Sequence, residues 1–308
     1  MNGKSAHQHL GPVFWQRNSL PQEHRFSWPA GCRGRFWSPL LLCMLEYPVV
    51  TYQCIQHNRA FGFLGVVQLK TPVVMSWSGG KDSAMALYEL TRNPEIQVEA
   101  LLTTVSEEYK RISHHGVRET LLDAQADAIG IRLDKVYLPS NNSHPCTNQV
   151  YEDIMGQAMR SYQEQGINTV GFGDLFLEDL RAWREKNLST IGMKGIFPIW
   201  KRDTTALARQ IIDLGFKAYL SCVEGKLGQG FVGRPYDLNL LKDLPVGIDP
   251  CGEYGEFHSY VYDGPIFRRP VDVRVGRIVM RDGRYYADLL PANSPELQEQ
   301  VVSMPPVV

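Results

Sequence analysis

From Val73 to Leu214 the chain alternates short apolar runs with longer stretches of helical periodicity. That alternation restricts it to a parallel sheet with helices packed on both faces, an α/β Rossmann-like architecture. Strands are expected at 73–77, 98–105, 133–138 and 168–172, with helices at 82–92, 117–129, 149–165 and 175–187. A short strand at 195–200, a helix at 204–214 and a strand at 218–222 continue the pattern, with right-handed crossovers. Residues 225–256 are rich in Gly, Pro and Asp and read as loops around one short helix at 238–244. Beyond them, residues 257–290 read as antiparallel strands, with Asp282-Gly283 as the hairpin turn between 277–280 and 285–289. The expected organisation is a poorly ordered extension over 1–70, an α/β domain over 71–224, a smaller loop-and-strand region with a hairpin over 225–290, and a flexible tail over 291–308.

Composition narrows the possible partners. The chain has 308 residues, is 44% hydrophobic and carries a formal net charge of −1. Residues 1–70 hold seven Lys or Arg and two acids, leaving 25 basic and 31 acidic residues, a net −6, in 71–308. A body of that balance is not a general nucleic-acid binder and fits a small acceptor or a specific docked partner. The six cysteines, at 32, 43, 54, 146, 222 and 251, form no Cys-x-x-Cys pair or zinc spacing, as expected of a reducing compartment. No apolar run approaches the ~18 residues of a membrane span, so a cytoplasmic location is expected. The first 70 residues lack sustained periodicity. Their three tryptophans fit a transit segment poorly and a mis-set translation start, with the protein beginning near Met44 or Met75, better.

The chemistry is concentrated between the first strand and the first helix. Residues 78–83 read Ser-Gly-Gly-Lys-Asp-Ser. Two glycines let successive N–H groups converge on one anion, and the helix N-terminus behind them adds partial positive charge. Lys81 offers a point charge for phosphate, Ser78 and Ser83 offer hydroxyls, and Asp82 can meet a metal or cap the helix. A Walker A loop would need Gly and Ser or Thr where Met75 and Asp82 stand. The hexapeptide resembles instead the PP-loop of the N-type ATP pyrophosphatases, which split ATP into AMP and pyrophosphate. The resemblance implies an adenine nucleotide alpha-hydrolase fold, with ATP at the carboxyl end of the first strand near the switch in strand order.

Four further segments look like site rather than scaffold. Ser113-His114-His115-Gly116 reads either as phosphate or acceptor contacts or as solvated loop histidines. In Gly171-Phe172-Gly173-Asp174, Asp174 reads as a helix N-cap or as a neighbour of adenosine or magnesium, with Gly173 allowing close approach. The charges of 178–184 read as a surface face, with Arg181 the exception to watch. Residues 247–258, Gly-Ile-Asp-Pro-Cys-Gly-Glu-Tyr-Gly-Glu-Phe-His, surround two glutamates and a cysteine with glycines.

That last segment resembles the diphthine ammonia ligase family through Gly-Glu-x-Gly-Glu-Phe. The runs Gly-Asp-Leu-Phe-Leu-Glu-Asp at 173–179 and Tyr-Asp-Gly-Pro-Ile-Phe at 262–267 add to the likeness, which spans Val73 to Phe267. Tyr254 stands where the family carries glycine, a variant similar to its bacterial members. The resemblance implies a ligase that uses ATP with Mg²⁺ to adenylylate a carboxylate and forms an amide with ammonia; the sequence leaves open whether subunits pair as a homodimer. It implies Ser78, Gly79, Gly80, Lys81, Asp82 and Ser83 at the ATP phosphates and Glu253 and Glu256 beside the acceptor; the residue reading adds Gly173 and Asp174 at the nucleotide, and Asp82 and Asp174 at the metal. Lys81, Glu253 and Glu256 are implied at the chemistry, with the glutamates either taking a proton from ammonium or capping loop amides. Two alternatives stay open: a tRNA-thiolating enzyme using Cys251 as persulfide carrier, and a non-catalytic adenine nucleotide sensor. Lys81→Ala is expected to abolish turnover without unfolding the domain.

Overall fold

The computed structural model describes residues 49–50, 67–112, 115–139 and 147–294. The chain divides into compact units at Met1–Val67 and Gln68–Val308. The described part of the first contains the dipeptide strand Val49–Val50; of the extension and tail, residues 1–48, 51–66 and 295–308 lie outside the described residues. The second unit carries the fold.

Five parallel strands form its first sheet: β1 (Thr71–Ser76), β2 (Ile96–Ser106), β3 (Leu133–Leu138), β4 (Thr169–Gly171) and β5 (Lys194–Ile196), in the order β3-β2-β1-β4-β5. Strand order reverses between β1 and β4, which opens a crevice beyond their carboxyl ends. Side chains alternate along β1. Val73 and Met75 join one apolar cluster with α1 (Lys81–Arg92) and α2 (Glu119–Ile129). Val74 joins another with α3 (Asn148–Glu164) and α4 (Glu178–Thr190). Both faces are covered, as a buried parallel sheet requires.

Local signals set the helix ends. Helix α2 stops at Gly130, whose φ of 82° only glycine adopts cheaply and whose N–H returns to Ala126 O. Thr147 and Asp203 cap α3 and α5 (Thr204–Asp213).

The second sheet is antiparallel. It contains β6 (Lys217–Glu224), β7 (Phe257–Asp263), β8 (Val273–Arg281) and β9 (Arg284–Pro291), in the order β8-β9-β6-β7. The hairpin turn falls at Asp282 and Gly283, with φ of 49° and 74°. The short helix α6 is Leu238–Asp243.

Two elements differ from their sequence reading. The strand expected at 218–222 as part of the parallel domain is β6, paired with β7 and β9 in the second sheet. Its apolar run is satisfied equally well by either sheet, and pairing partners are not written in a local pattern. The helix expected from 175 starts at Glu178, because Leu175 and Phe176 give their N–H groups to Glu253 from the distant 249–256 loop. No helix among the described residues is long and apolar enough to cross a membrane.

Candidate active site at the sheet switch point

The turn from β1 into α1 is held by side chains on all sides. Gly79 sits at φ 74°, and a Cβ there would stand 2.7 Å from Gln125 Oε1. Buried Gln125 accepts from Trp77 Nε1 (3.0 Å) and donates to Gly79 O (3.0 Å) and Val261 O (2.5 Å). Val261 N–H donates to the same Gly79 carbonyl at 2.9 Å. Within the loop, Gly80 N–H donates to Ser78 Oγ (3.3 Å), Ser83 Oγ donates to Gly80 O (2.9 Å), and the two serine hydroxyls meet at 3.1 Å. Lys81 N–H donates to Ser259 Oγ of β7 at 3.1 Å. A glycine turn thus rests on α2 on one side and on the second sheet on the other.

Lys81 is 2% exposed, although it opens α1. Its ammonium donates to both oxygens of Asp82 (3.1 and 2.9 Å) and to the carbonyl of Cys251, and lies 5.3 and 5.7 Å from the ring centres of Phe257 and Tyr236. Burial alone would lower its pKa. The Asp82 carboxylate outweighs that cost, and the Lys81 pKa ends above its usual value.

The loop after α6 carries the two glutamates, and they differ in task. Glu253 Oε1 accepts from Phe176 N–H (2.8 Å) and Leu175 N–H (3.3 Å), binding the loop beyond β4 to the 249–256 loop that leads into the second sheet. Burial raises the Glu253 pKa although these two amides oppose it, so this carboxylate holds a proton more strongly than an ordinary one. Glu256, 3% exposed, accepts from Asp249 N–H (3.1 Å) and Tyr254 N–H (3.0 Å). It folds its own loop.

Cys251 is buried, with Sγ 3.4 Å from Thr204 O, and burial pushes its thiol up to about 12. Cys222 is buried in β6, and its pKa is raised for the same reason. Cys146, the other cysteine weighed beside Cys251, lies outside the described residues.

Gly173 enters the site by contact. A Cβ on it would stand 2.8 Å from Ser83 N and 2.9 Å from Asp82 C, so the chain leaving β4 lies against the first turn of α1. Asp174 does not cap α4, which begins four residues later. It takes a two-point ion pair from Arg184 (2.8 and 3.3 Å), because the Glu253 contacts hold the intervening segment out of helical geometry. Arg181 lies over Phe197 and Trp200 at 4.6 and 4.7 Å and donates through Nε to Glu185, more than the surface pair its spacing predicts.

His115 reaches the loop. A Cβ on Gly80 would meet its Cε1 at 3.2 Å, its Nδ1 is 3.4 Å from Ser259 O, and its ring stacks on His258 at 4.5 Å. His114 lies outside the described residues. Sequence reading missed Gln125, Tyr236 and Ser259. An isolated glutamine in a helical run or serine in a strand gives no signal, and only the paired glycines at 79–80 hint that something must pack closely there.

A glycine turn at the switch point of a parallel sheet, with a second sheet packed on it and the 249–256 loop bringing carboxylates near, is the arrangement of an α/β nucleotide-binding fold of the PP-loop kind. The chain belongs to the diphthamide synthase family: the model of that family's N-terminal domain matches residues 71–195 and that of its C-terminal domain residues 203–289. It is 24% identical over 258 residues to the diphthine–ammonia ligase of Mus musculus, covering 74% of this chain and 93% of the relative. It is 22% identical over 228 residues to that of Danio rerio, covering 68% and 89%. Among solved structures it is similar to the U34-tRNA thiolase NcsA from Methanococcus maripaludis with its 4Fe-4S cluster. That match has a TM-score of 0.30 and 20% identity over 49% of this chain and 60% of the other, too small a likeness to carry an argument.

Proposed function

We propose that this protein amidates a carboxylate at the expense of ATP. A carboxylate oxygen attacks the α-phosphorus and pyrophosphate leaves with the bonding electrons. Ammonia then attacks the acyl carbon of the adenylate and AMP leaves. Activation is needed because a carboxylate has no good leaving group of its own. The observation that carries the reading is the bond from Lys81 to the Cys251 carbonyl, which ties the phosphate loop to the segment that bears Glu253.

In this scheme the turn at 78–83 and the head of α1 receive the phosphates. Lys81 supplies positive charge beside the departing pyrophosphate, a contribution of position and field rather than of covalent chemistry. Asp82 fits a magnesium ion: its carboxylate is 31% exposed, and Mg²⁺ bound with phosphates needs only one or two protein carboxylates. Magnesium would neutralise phosphate charge. Asp174, held by Arg184, is the second carboxylate of that neighbourhood.

Glu253 is the proposed proton acceptor from ammonium, since only neutral NH₃ is a nucleophile and burial has raised this carboxylate's proton affinity. Glu256 supports it by keeping the 249–256 loop in shape. By kinship with the ligases above, the proposed acceptor is a carboxylate of the diphthine type. A persulfide route through Cys251 finds no support, because a buried thiol with a pKa near 12 is neither thiolate nor accessible.

The test is product analysis with Mg-ATP, a fractionated extract and ammonium. AMP plus pyrophosphate, formed only with ammonium and a carboxylate-bearing fraction, is expected. ADP plus phosphate would overturn the reading, AMP release indifferent to ammonium would point to another acceptor chemistry, and no turnover would favour the sensor.

A further inference from the structure

His115 stands where the phosphate loop turns, and nothing in the reaction above uses it. Its Cε1 and the Ser78 hydroxyl approach the same point beside Gly80, at 3.2 and 3.3 Å from where a Cβ would stand. A side chain at position 80 would displace both. The imidazole and a phosphate-facing hydroxyl therefore share one side of the turn.

The ring is held from two directions. Nδ1 lies 3.4 Å from the Ser259 carbonyl, and because a carbonyl only accepts, the hydrogen of that contact is on Nδ1. The stack on His258 fixes the ring plane, at 4.5 Å between centres and 30° between planes. Its neighbours along the chain and across the sheet are fixed as well. Gly116 packs on Tyr286 and its carbonyl accepts from Arg111 at 2.7 Å, while His258 pairs in register with Cys222, which pairs in turn with Tyr286. Ser259 spends its hydroxyl on Lys81 N–H and its carbonyl on His115, so one residue of β7 sets both the start of α1 and the tilt of the imidazole.

We infer that His115, as the imidazolium with a hydrogen on each ring nitrogen, is a phosphate-binding residue that donates from Nε2 to the pyrophosphoryl end of the nucleotide, with His258 as the positioning residue that holds its ring. Nε2 is bonded to the same Cε1 that touches Gly80. Lys81 supplies its charge from a buried position, bonded to Asp82 and the Cys251 carbonyl, and His115 adds a second donor beside Gly80. The inference rests on the ATP-dependent reading and adds a ligand contact to it.

Calorimetric titration with magnesium pyrophosphate and, separately, with AMP tests it on the full chain. Wild type is compared with His115→Phe, which keeps a stacking ring, His115→Gln, which keeps a donor, and His258→Phe. Pyrophosphate binding is expected to weaken about tenfold in His115→Phe, the loss of one charge-assisted hydrogen bond, and to recover partly in His115→Gln. AMP, which lacks the pyrophosphoryl group, is expected to bind all three variants as it binds wild type. Pyrophosphate binding unchanged in His115→Phe would overturn the inference, as would absence of pyrophosphate binding in wild type. Failure of wild type to bind ATP, AMP or pyrophosphate would instead overturn the nucleotide reading beneath it. A parallel loss of AMP and pyrophosphate in His115→Phe would mark a structural role only and also overturn the inference.

Discussion

Lys81 does two things at once. It carries the charge expected of a phosphate loop, and it is a buried strut whose ammonium joins α1 to the carbonyl of Cys251. The expectation that Lys81→Ala spares the fold therefore changes. Lys81→Met is expected to lose ATP turnover and also about 1–3 kcal/mol of stability, because the Cys251 carbonyl and Asp82 lose their donor together, as chemical denaturation with a turnover assay would record. Unchanged stability would place the ammonium in solvent. Cys251 behaves oppositely. With its thiol neutral far above physiological pH, native protein at pH 8 is expected to leave Cys251 unalkylated by iodoacetamide. Cys251→Ser is expected to keep turnover within about threefold, a change of less than 1 kcal/mol in barrier. Rapid alkylation, or a dead serine variant, would revive the persulfide route. At this scale the glycine pair, Lys81 and the flanking serines stand out in the sequence as a proposed phosphate turn, because such a turn is a local device. Gln125 was not, since its partners lie 46, 48 and 136 residues away.

Elements show the same division between local and distant causes. The βα alternation predicted four strand-helix units of the parallel sheet, since side-chain periodicity sets each element separately. What periodicity does not contain is which strands pair, so β6 entered the wrong sheet and the start of α4 depended on a glutamate 75 residues downstream of it. Gln125 on α2 is the pin between elements. Gln125→Leu would leave the Trp77 N–H and the Gly79 carbonyl short of a partner, at a cost of about 1–3 kcal/mol, and is expected to raise the KM for ATP more than it lowers kcat. A fall in kcat alone would contradict that. On β9, Asp288 takes ion pairs from Arg111 (2.8 Å) and Arg118 (2.9 Å). Burial would raise its pKa, but the two guanidinium groups outweigh it and the net shift is downward. A depressed folded pKa means the stabilisation is complete above the unfolded value, about 3.9, and is lost as pH falls through the folded value below it. Thermal melts from pH 5 down to pH 3 are expected to fall more steeply for wild type than for Asp288→Asn; parallel curves would remove these pairs from the acid response.

For the molecule as a whole, the second sheet is part of the proposed nucleotide site rather than an appendage. Ser259 and Val261 of β7 bond to Lys81 and Gly79, Tyr260 donates to Leu121 O at 2.9 Å, and Arg268 N–H reaches Ala128 O. One apolar cluster runs from Val73 through α1 and α2 to Tyr260 and Leu289. Residues 68–294 are therefore expected to unfold in a single calorimetric transition with equal calorimetric and van't Hoff enthalpies. Two resolved transitions would show that the sheets are independently stable.

The bond from Lys81 N–H to Ser259 spans 178 positions of chain, which has a consequence for synthesis on the ribosome. The glycine turn emerges early, yet the hydroxyl and the carbonyls that shape it are among the last parts of the fold to appear. A nascent chain stalled before Ser259 has the glycine turn without its walls, and is expected to stay silent toward ATP until β7 has been made.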